Sequence, residues 1–336
     1  PYPNPEGQLE IHINGDIPLA IKQYYYASHD NNWLESMYPL LYSISEFWAS
    51  RVVEIPSPSD PSSSLFTLYN VQPPDESAGM VNSSVYTNAV CSMTLNFTME
   101  AHSIVGGSMP PDQWSAIANN MYYPIVELKG KEAIHNEYDG YDGHIINQDD
   151  VGLLQYPLDF EMPKEMAIRD LIYWQNKTNP DGYFTGDSAY SIAWLQLGNT
   201  KKAEEEFNKS FLHMVGDFFV WKEKLSGGNI NFLTGAGGFL QNVMYGYGGL
   251  HFTNSSMSFR PVLPDLGLSY LQFKNVSYSG GYFSLTIYPK ESTAELLETS
   301  PSSPSFTLTT NEDTLEMKQG TTYNVTDAFF SISPNF

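Results

Sequence analysis

The chain has 336 residues, 41% of them apolar, enough for one large or two medium domains with sizeable cores. Its 38 acidic against 16 basic side chains give a formal charge of -22 without any Lys/Arg cluster, which excludes nucleic-acid binding and a polybasic membrane patch. No apolar run reaches the roughly 18 residues of a membrane helix, and so acidic a chain suits work at low pH, where some carboxylates take up protons and self-repulsion falls.

The chain opens on PYPNPEG, a Pro-rich loop without an initiator Met or signal peptide, which reads as the start of a processed or truncated product. Helical spacing of bulky apolar residues predicts a helix over residues 17–29. A second is predicted over 38–54, with Leu40, Leu41, Ile44, Phe47, Trp48 and Val52 in one wide stripe. Residues 56–64, PSPSDPSSS, are a loop by composition. Helices follow over 85–105 and over 111–121, the latter with Pro at its start, where the missing N–H costs little. Residues 122–165 read as irregular, and 162–177 return to helix. DSAYSIAWLQLG and TKKAEEEFNKSFLHMV form a helical pair across Gly198 and Asn199, and residues 230–250 form a Gly-bounded helix. From residue 251 short alternating runs separated by Gly, Pro and Ser predict an antiparallel β-domain.

Cys91 is the single cysteine, so the chain holds no internal disulfide; its apolar neighbours make it a packing residue rather than a nucleophile. Seven Asn-x-Ser/Thr acceptors, at Asn82, Asn96, Asn176, Asn208, Asn254, Asn275 and Asn324, point to a glycoprotein that is secreted, cell-wall or periplasmic, or vacuolar.

Glu76 follows a Pro-Pro pair, which stiffens the backbone and lets a carboxylate be aimed into a cavity. Capping of the next helix by Asp75 or Glu76 is the plainer alternative. Glu223 lies between aromatic residues (Phe218, Phe219, Trp221) and a Gly-rich segment, which fits a sugar site; a solvated charge flanked by Lys222 and Lys224 fits equally. Gln148, Asp149 and Asp150 offer hydrogen bonds to sugar hydroxyls, or an N-cap cluster. Glu10, His12 and Asp16 make a poor metal motif, because no second His lies one helical turn away. The chain has neither a Gly-x-Ser-x-Gly elbow nor a P-loop. Two separated carboxylates in an acidic, aromatic-rich chain are the equipment of a glycosidase.

EIHINGDI, EFWASRV, PPDES…NSSVYTN, QDDVGLLQYP and NFLTGAGGFLQNVMYGYGGL, in that order over residues 8–265, resemble the hydrolase branch of glycoside hydrolase family 65. The resemblance implies a mainly α fold: the later helices of an (α/α)6 catalytic barrel over residues 1–250, then a small antiparallel β-domain over 251–336. The family's N-terminal sandwich, first barrel helices and Trp-Asp segment have no counterpart here. This implies cleavage before Gln8 and an N-terminal partner chain from the same precursor that covers otherwise exposed helix faces.

By the same resemblance Glu76 is the general acid and Glu223 the general base, for inversion across carboxyls about 6.5–9.5 Å apart. Phosphorylases of the family lack that base. Gln148 and Asp150 match the family's Lys-Gln-x-Asp, but Asn147 replaces the Lys. Glu10 and His12 match Glu-x-His lining the cavity, and Tyr86 and Asn88 match Tyr-Thr-Asn behind the acid. The expected activity is acid hydrolysis of an α-glucoside, foremost α,α-trehalose, with no metal or organic cofactor. The alternatives are an α-1,2-linked glucoside or a glucosylated collagen unit as substrate, a disaccharide phosphorylase, or a noncatalytic carbohydrate-binding subunit.

Overall fold

The computed structural model describes residues 6–128, 132–326 and 328–336. The Pro-rich start at residues 1–5 lies outside them. The chain divides into two compact units. The first comprises Pro1–Lys22, Asn31–Tyr190 and Lys222–Asn231; the second comprises Gln23–Asp30, Ser191–Trp221 and Phe232–Phe336.

The first unit is built on two long helices, Asn31–Arg51 and Val85–Val105. The second of these has the predicted bounds because both ends carry local signals. The Ser84 hydroxyl accepts the Thr87 N–H at 3.2 Å as N-cap, and Gly106, at φ 75°, ends the helix with its N–H on the His102 carbonyl. Asp75 and Glu76 therefore do not cap it. The helix Asn31–Arg51 begins seven residues before its predicted start, with Pro39 inside it; Pro18 likewise lies inside the helix Ile13–Ser28. In both cases an interior proline resembles a helix start.

The buried stripe of Asn31–Arg51 is Leu34, Tyr38, Leu41, Ile44 and Trp48, at helical spacing. Leu40, predicted in the stripe, is 46% exposed. The Ser45 hydroxyl donates to Thr98 on Val85–Val105 at 2.8 Å, so a buried polar pair is satisfied where the helices pack. Cys91 is fully buried in this core, and burial pushes its thiol up, as befits a packing residue. Shorter helices are Glu6–Leu9, Asp112–Asn119 and Lys164–Gln175, and the predicted helix in DSAYSIAWLQLG forms over Asp187–Gln196. Two hairpins pair Val53–Pro56 with Ser64–Thr67 and Ile125–Glu127 with Ala133–His135; the first takes Val53 and Glu54 from the helix predicted over 38–54, which ends at Arg51, and the second lies where the sequence read as irregular. Their strands are too short for an alternating pattern to be read.

The second unit contains the helices Thr200–Lys209 and Leu233–Gln241, the latter running into a π-helical turn at Asn242–Tyr247. The predicted helix over 200–215 stops at Lys209, and a hairpin of Met214–Val215 with Val220–Trp221 follows. From His251 onward the unit is antiparallel β, as the sequence predicts. One sheet orders the strands Thr322–Val325, Ser292–Thr299, Gly281–Ile287 and Leu271–Tyr278. The other orders Thr314–Glu316, Ser305–Thr309, Phe330–Asn335, Met257–Phe259 and His251–Phe252. Phe283, Leu285 and Leu296 from the first sheet share one core with Phe259, Phe306 and Phe330 from the second. All seven Asn acceptors are exposed, including Asn96 on the helix Val85–Val105.

Trp48→Ala empties a fully buried site in the first unit's core and should cost roughly 3–5 kcal/mol in urea unfolding. Leu40→Ala, on the exposed face of the same helix, should stay within about 0.5 kcal/mol of the parent. Equal effects would contradict the observed stripe.

Candidate active site

Glu76 opens a one-turn helix, Glu76–Ala78, directly after Pro73, Pro74 and Asp75. The turn is fixed from several sides. The Gln148 side-chain amide donates to the Pro74 carbonyl. The Asp75 N–H donates to Asp150 Oδ2 at 3.3 Å, and the Asn147 N–H donates to Asp75 Oδ1 at 3.0 Å. Ser77 donates its hydroxyl to the second Asp75 oxygen, and the Gln72 amide donates to the Glu76 carbonyl at 3.1 Å. With every backbone neighbour held, the Glu76 side chain itself is exposed. Its carboxyl lies above the usual carboxylate range, through partial burial first and then through the charges of Glu6, Glu10, Asp75 and Glu223.

Glu223 occupies a loop closed on itself. Its N–H donates to the Asn229 carbonyl at 2.9 Å, and its Oε2 accepts from the Asn229 N–H at 2.8 Å and side-chain amide at 3.1 Å. Oε1 receives no hydrogen bond from a described residue, so one oxygen remains available to a water molecule. Gly228 makes this fold possible. Its φ is +78°, and a Cβ there would stand 2.6 Å from Glu223 Oε2. Lys224, a flanking charge in the sequence, lies over the Tyr183 ring at 3.7 Å.

One frame joins the two carboxylates. The Asn147 carbonyl accepts the Tyr183 N–H at 3.0 Å, and the Glu223 carbonyl accepts the next N–H along the chain, that of Phe184, also at 3.0 Å. Gly182 lets these strands approach, since a Cβ would meet the Asn147 carbonyl oxygen at 2.1 Å. The segments that carry Glu76 and Glu223 are thus braced against one stretch, residues 147–184, and the two charges lie within electrostatic reach of each other.

The other predicted site residues divide. Gln148 braces the Pro74 carbonyl. Asp150 is fully buried and spends one oxygen on the Asp75 N–H, which closes it off from a sugar in this arrangement. Asp149 accepts the Gly152 N–H at 3.1 Å, the helix-start role open to it from sequence. Glu10 is half-buried and raised by that burial. Its charge reaches Glu76. His12 is buried, with Nδ1 3.3 Å from Asp16 Oδ2, while the Tyr86 hydroxyl donates to the other Asp16 oxygen at 2.8 Å. Asn88 is buried and ties the Leu68 N–H, Thr67 hydroxyl and Tyr122 carbonyl together, a supporting role.

Sequence reasoning missed Glu137. It is fully buried, both carboxylate oxygens lack a hydrogen-bond partner, and burial with the nearby Asp150 and Asp75 pushes it up to about 10. Nothing in NEYDGY marks it, because a buried acid has no periodic signature. Asn229, which holds Glu223, was equally silent.

The description "Glycosyl hydrolase family 65 central catalytic domain" matches residues 2–144. The chain is 38% identical over 302 residues to the protein-glucosylgalactosylhydroxylysine glucosidase of Dictyostelium discoideum, covering 89% of this chain and 41% of that protein. It is 33% identical over 247 residues to the kojibiose hydrolase of Flavobacterium johnsoniae, covering 73% and 35%. Against the periplasmic acid trehalase of Saccharomyces cerevisiae the identity is 27% over 263 residues, covering 73% and 21%. The chain therefore spans well under half the length of the curated relatives it matches. A solved structure provisionally named kojibiose phosphorylase, from human microbiome, shares the fold at a TM-score of 0.69 and 17% identity, over 93% of this chain and 46% of that one. With the helical and antiparallel β architecture and the ordered motifs, these likenesses show that the chain belongs to glycoside hydrolase family 65.

Proposed function

We propose that this chain carries both catalytic carboxyls of an inverting α-glucoside hydrolase acting on an α-1,2-linked terminal glucose. Glu76 gives its proton to the glycosidic oxygen, and Glu223 Oε1 takes one from water attacking the opposite face of the sugar. The observation that carries the reading is the common frame: both carboxyls are braced on residues 147–184, one with its pKa raised, the other with an oxygen open to water. A phosphorylase would have no use for Glu223. The linkage follows the order of similarity, in which a glucosylgalactosylhydroxylysine glucosidase and a kojibiose hydrolase precede an acid trehalase. Trehalose hydrolysis is the second reading, favoured by the trehalase relative and the -22 charge.

Gln148 and Glu10 line the sugar site in this reading, while Asp150 and His12 support it from behind. The barrel to which these helices belong, an (α/α)6 assembly, is completed by protein outside the chain, an N-terminal segment or chain of the same precursor. The greater length of the relatives supports this. The seven exposed Asn acceptors support a secreted or vacuolar glycoprotein. A panel of glucose disaccharides at acidic pH, with and without phosphate, tests the reading. Phosphate-independent release of glucose from kojibiose ahead of trehalose is expected; release only with phosphate would overturn it.

Glu76→Gln and Glu223→Gln should each lower kcat by about a hundredfold to ten-thousandfold without a change in melting temperature. Full activity in Glu223→Gln would end the assignment of the base.

The pH profile has a signed expectation. Glu76 must be protonated to act, and like charges raise it, so activity falls as pH rises through its elevated pKa. Removing one such charge by Glu10→Gln lowers that pKa, and the alkaline limb of kcat/KM should move to lower pH.

Gly228→Ala forces a Cβ against Glu223 Oε2 in a backbone region that L residues avoid. Its kcat should drop by about a hundredfold, the cost of a misplaced catalytic group. Unchanged turnover would show that Oε2 is not held as described.

A further inference from the structure

We propose that Asp75, Glu137 and His144 form a binding site for a divalent transition cation, Mn2+ or Zn2+, behind the turn that presents Glu76. Each offers one ligand atom, and the three atoms lie within 4.8 Å of one another. Carboxylate and imidazole ligands sit about 2.0–2.2 Å from a tetrahedral zinc, which sets ligand atoms about 3.3–3.6 Å apart. Small side-chain adjustments close the difference.

The strongest pointer is Glu137. It is fully buried, and neither carboxylate oxygen has a hydrogen-bond partner. A buried carboxyl without partners either keeps its proton or takes a counter-charge, a donor or a metal. Among the described residues no Lys or Arg forms an ion pair with Asp75, Glu137 or Asp150. Position 147, where the resemblance expects a lysine, carries Asn147, and its side-chain oxygen accepts from Asn179 at 3.3 Å. Asp75 Oδ1 accepts the Asn147 N–H, so Asn147 brings no charge to this cluster.

His144 is prepared for ligation. Its Nδ1 lies 2.8 Å from Asp142 Oδ1, the carboxylate contact that orients a metal-binding ring and leaves Nε2 for the ion. One imidazole with two carboxylates suits Mn2+ or Zn2+, whereas Ca2+ takes six to eight oxygens. Glu76 is not a ligand. The ion would instead tie Asp75 to the segment 137–144 and fix the turn from which Glu76 projects, a role separate from the reaction.

The test is equilibrium dialysis of the full-length, chelator-treated protein against MnCl2 or ZnCl2, read by atomic emission and by melting temperature. Parent protein and Glu76→Gln should bind one ion per chain, with a rise in melting temperature. Glu137→Gln, close to isosteric, should bind at least tenfold more weakly and lose that rise. If Glu137→Gln fails to fold, His144→Ala, at a half-exposed position, carries the same expectation. A parent protein that takes up no ion above the dialysis blank, or Glu137→Gln or His144→Ala binding as tightly as the parent, overturns the site.

Discussion

The hold of residues 147–150 on the turn at Pro74–Glu76 is the constraint on which the site depends. Three different groups act there: the Gln148 amide on the Pro74 carbonyl, the Asp150 carboxyl on the Asp75 N–H, and the Asn147 N–H on the Asp75 carboxyl. The Asn147 carbonyl then passes the hold to Tyr183, and Phe184 passes it to the Glu223 backbone. A general acid and a general base gain only when their separation and aim are fixed before the sugar arrives. Here the fixing is done by hydrogen bonds between backbone groups and buried or part-buried side chains, while the Glu76 carboxyl and Glu223 Oε1 receive none from a described residue.

The electrostatics follow from the same crowding. Glu6, Glu10, Asp75 and Glu223 all push on Glu76. A carboxyl surrounded by other carboxyls and partly withdrawn from water keeps its proton to higher pH, as an acid catalyst must. Glu223 is shaped differently. Asn229 supplies two donors to one of its oxygens and leaves the other without a hydrogen bond from a described residue. Two chemically identical side chains thus stand in different surroundings, one crowded by like charges and the other held through one oxygen.

Much of this was legible in the chain itself. The Pro-Pro pair before Glu76 and the Gly-rich run after Glu223 are local signals of restricted and permitted backbone, and both turns formed where they stand. The capped helix Val85–Val105 carried its own start and stop. The alternation after residue 251 announced the antiparallel strands. What escaped was set by distant partners. Pro18 and Pro39 hid the true starts of two helices, because a proline tolerated within a helix looks like one that begins it. Asp150 read as a sugar contact, yet a fold that brings it against the Asp75 N–H buries it. Glu137 gave no sign at all, since burial of a single acid leaves no trace in local pattern.

Opposite-face attack is the claim on which the proposed chemistry rests, and the anomer first formed reports on it directly. Kojibiose hydrolysed by the full-length protein and followed by proton NMR before mutarotation should yield β-glucose from the cleaved unit. First-formed α-glucose would contradict a mechanism in which Glu223 directs water at the face opposite Glu76.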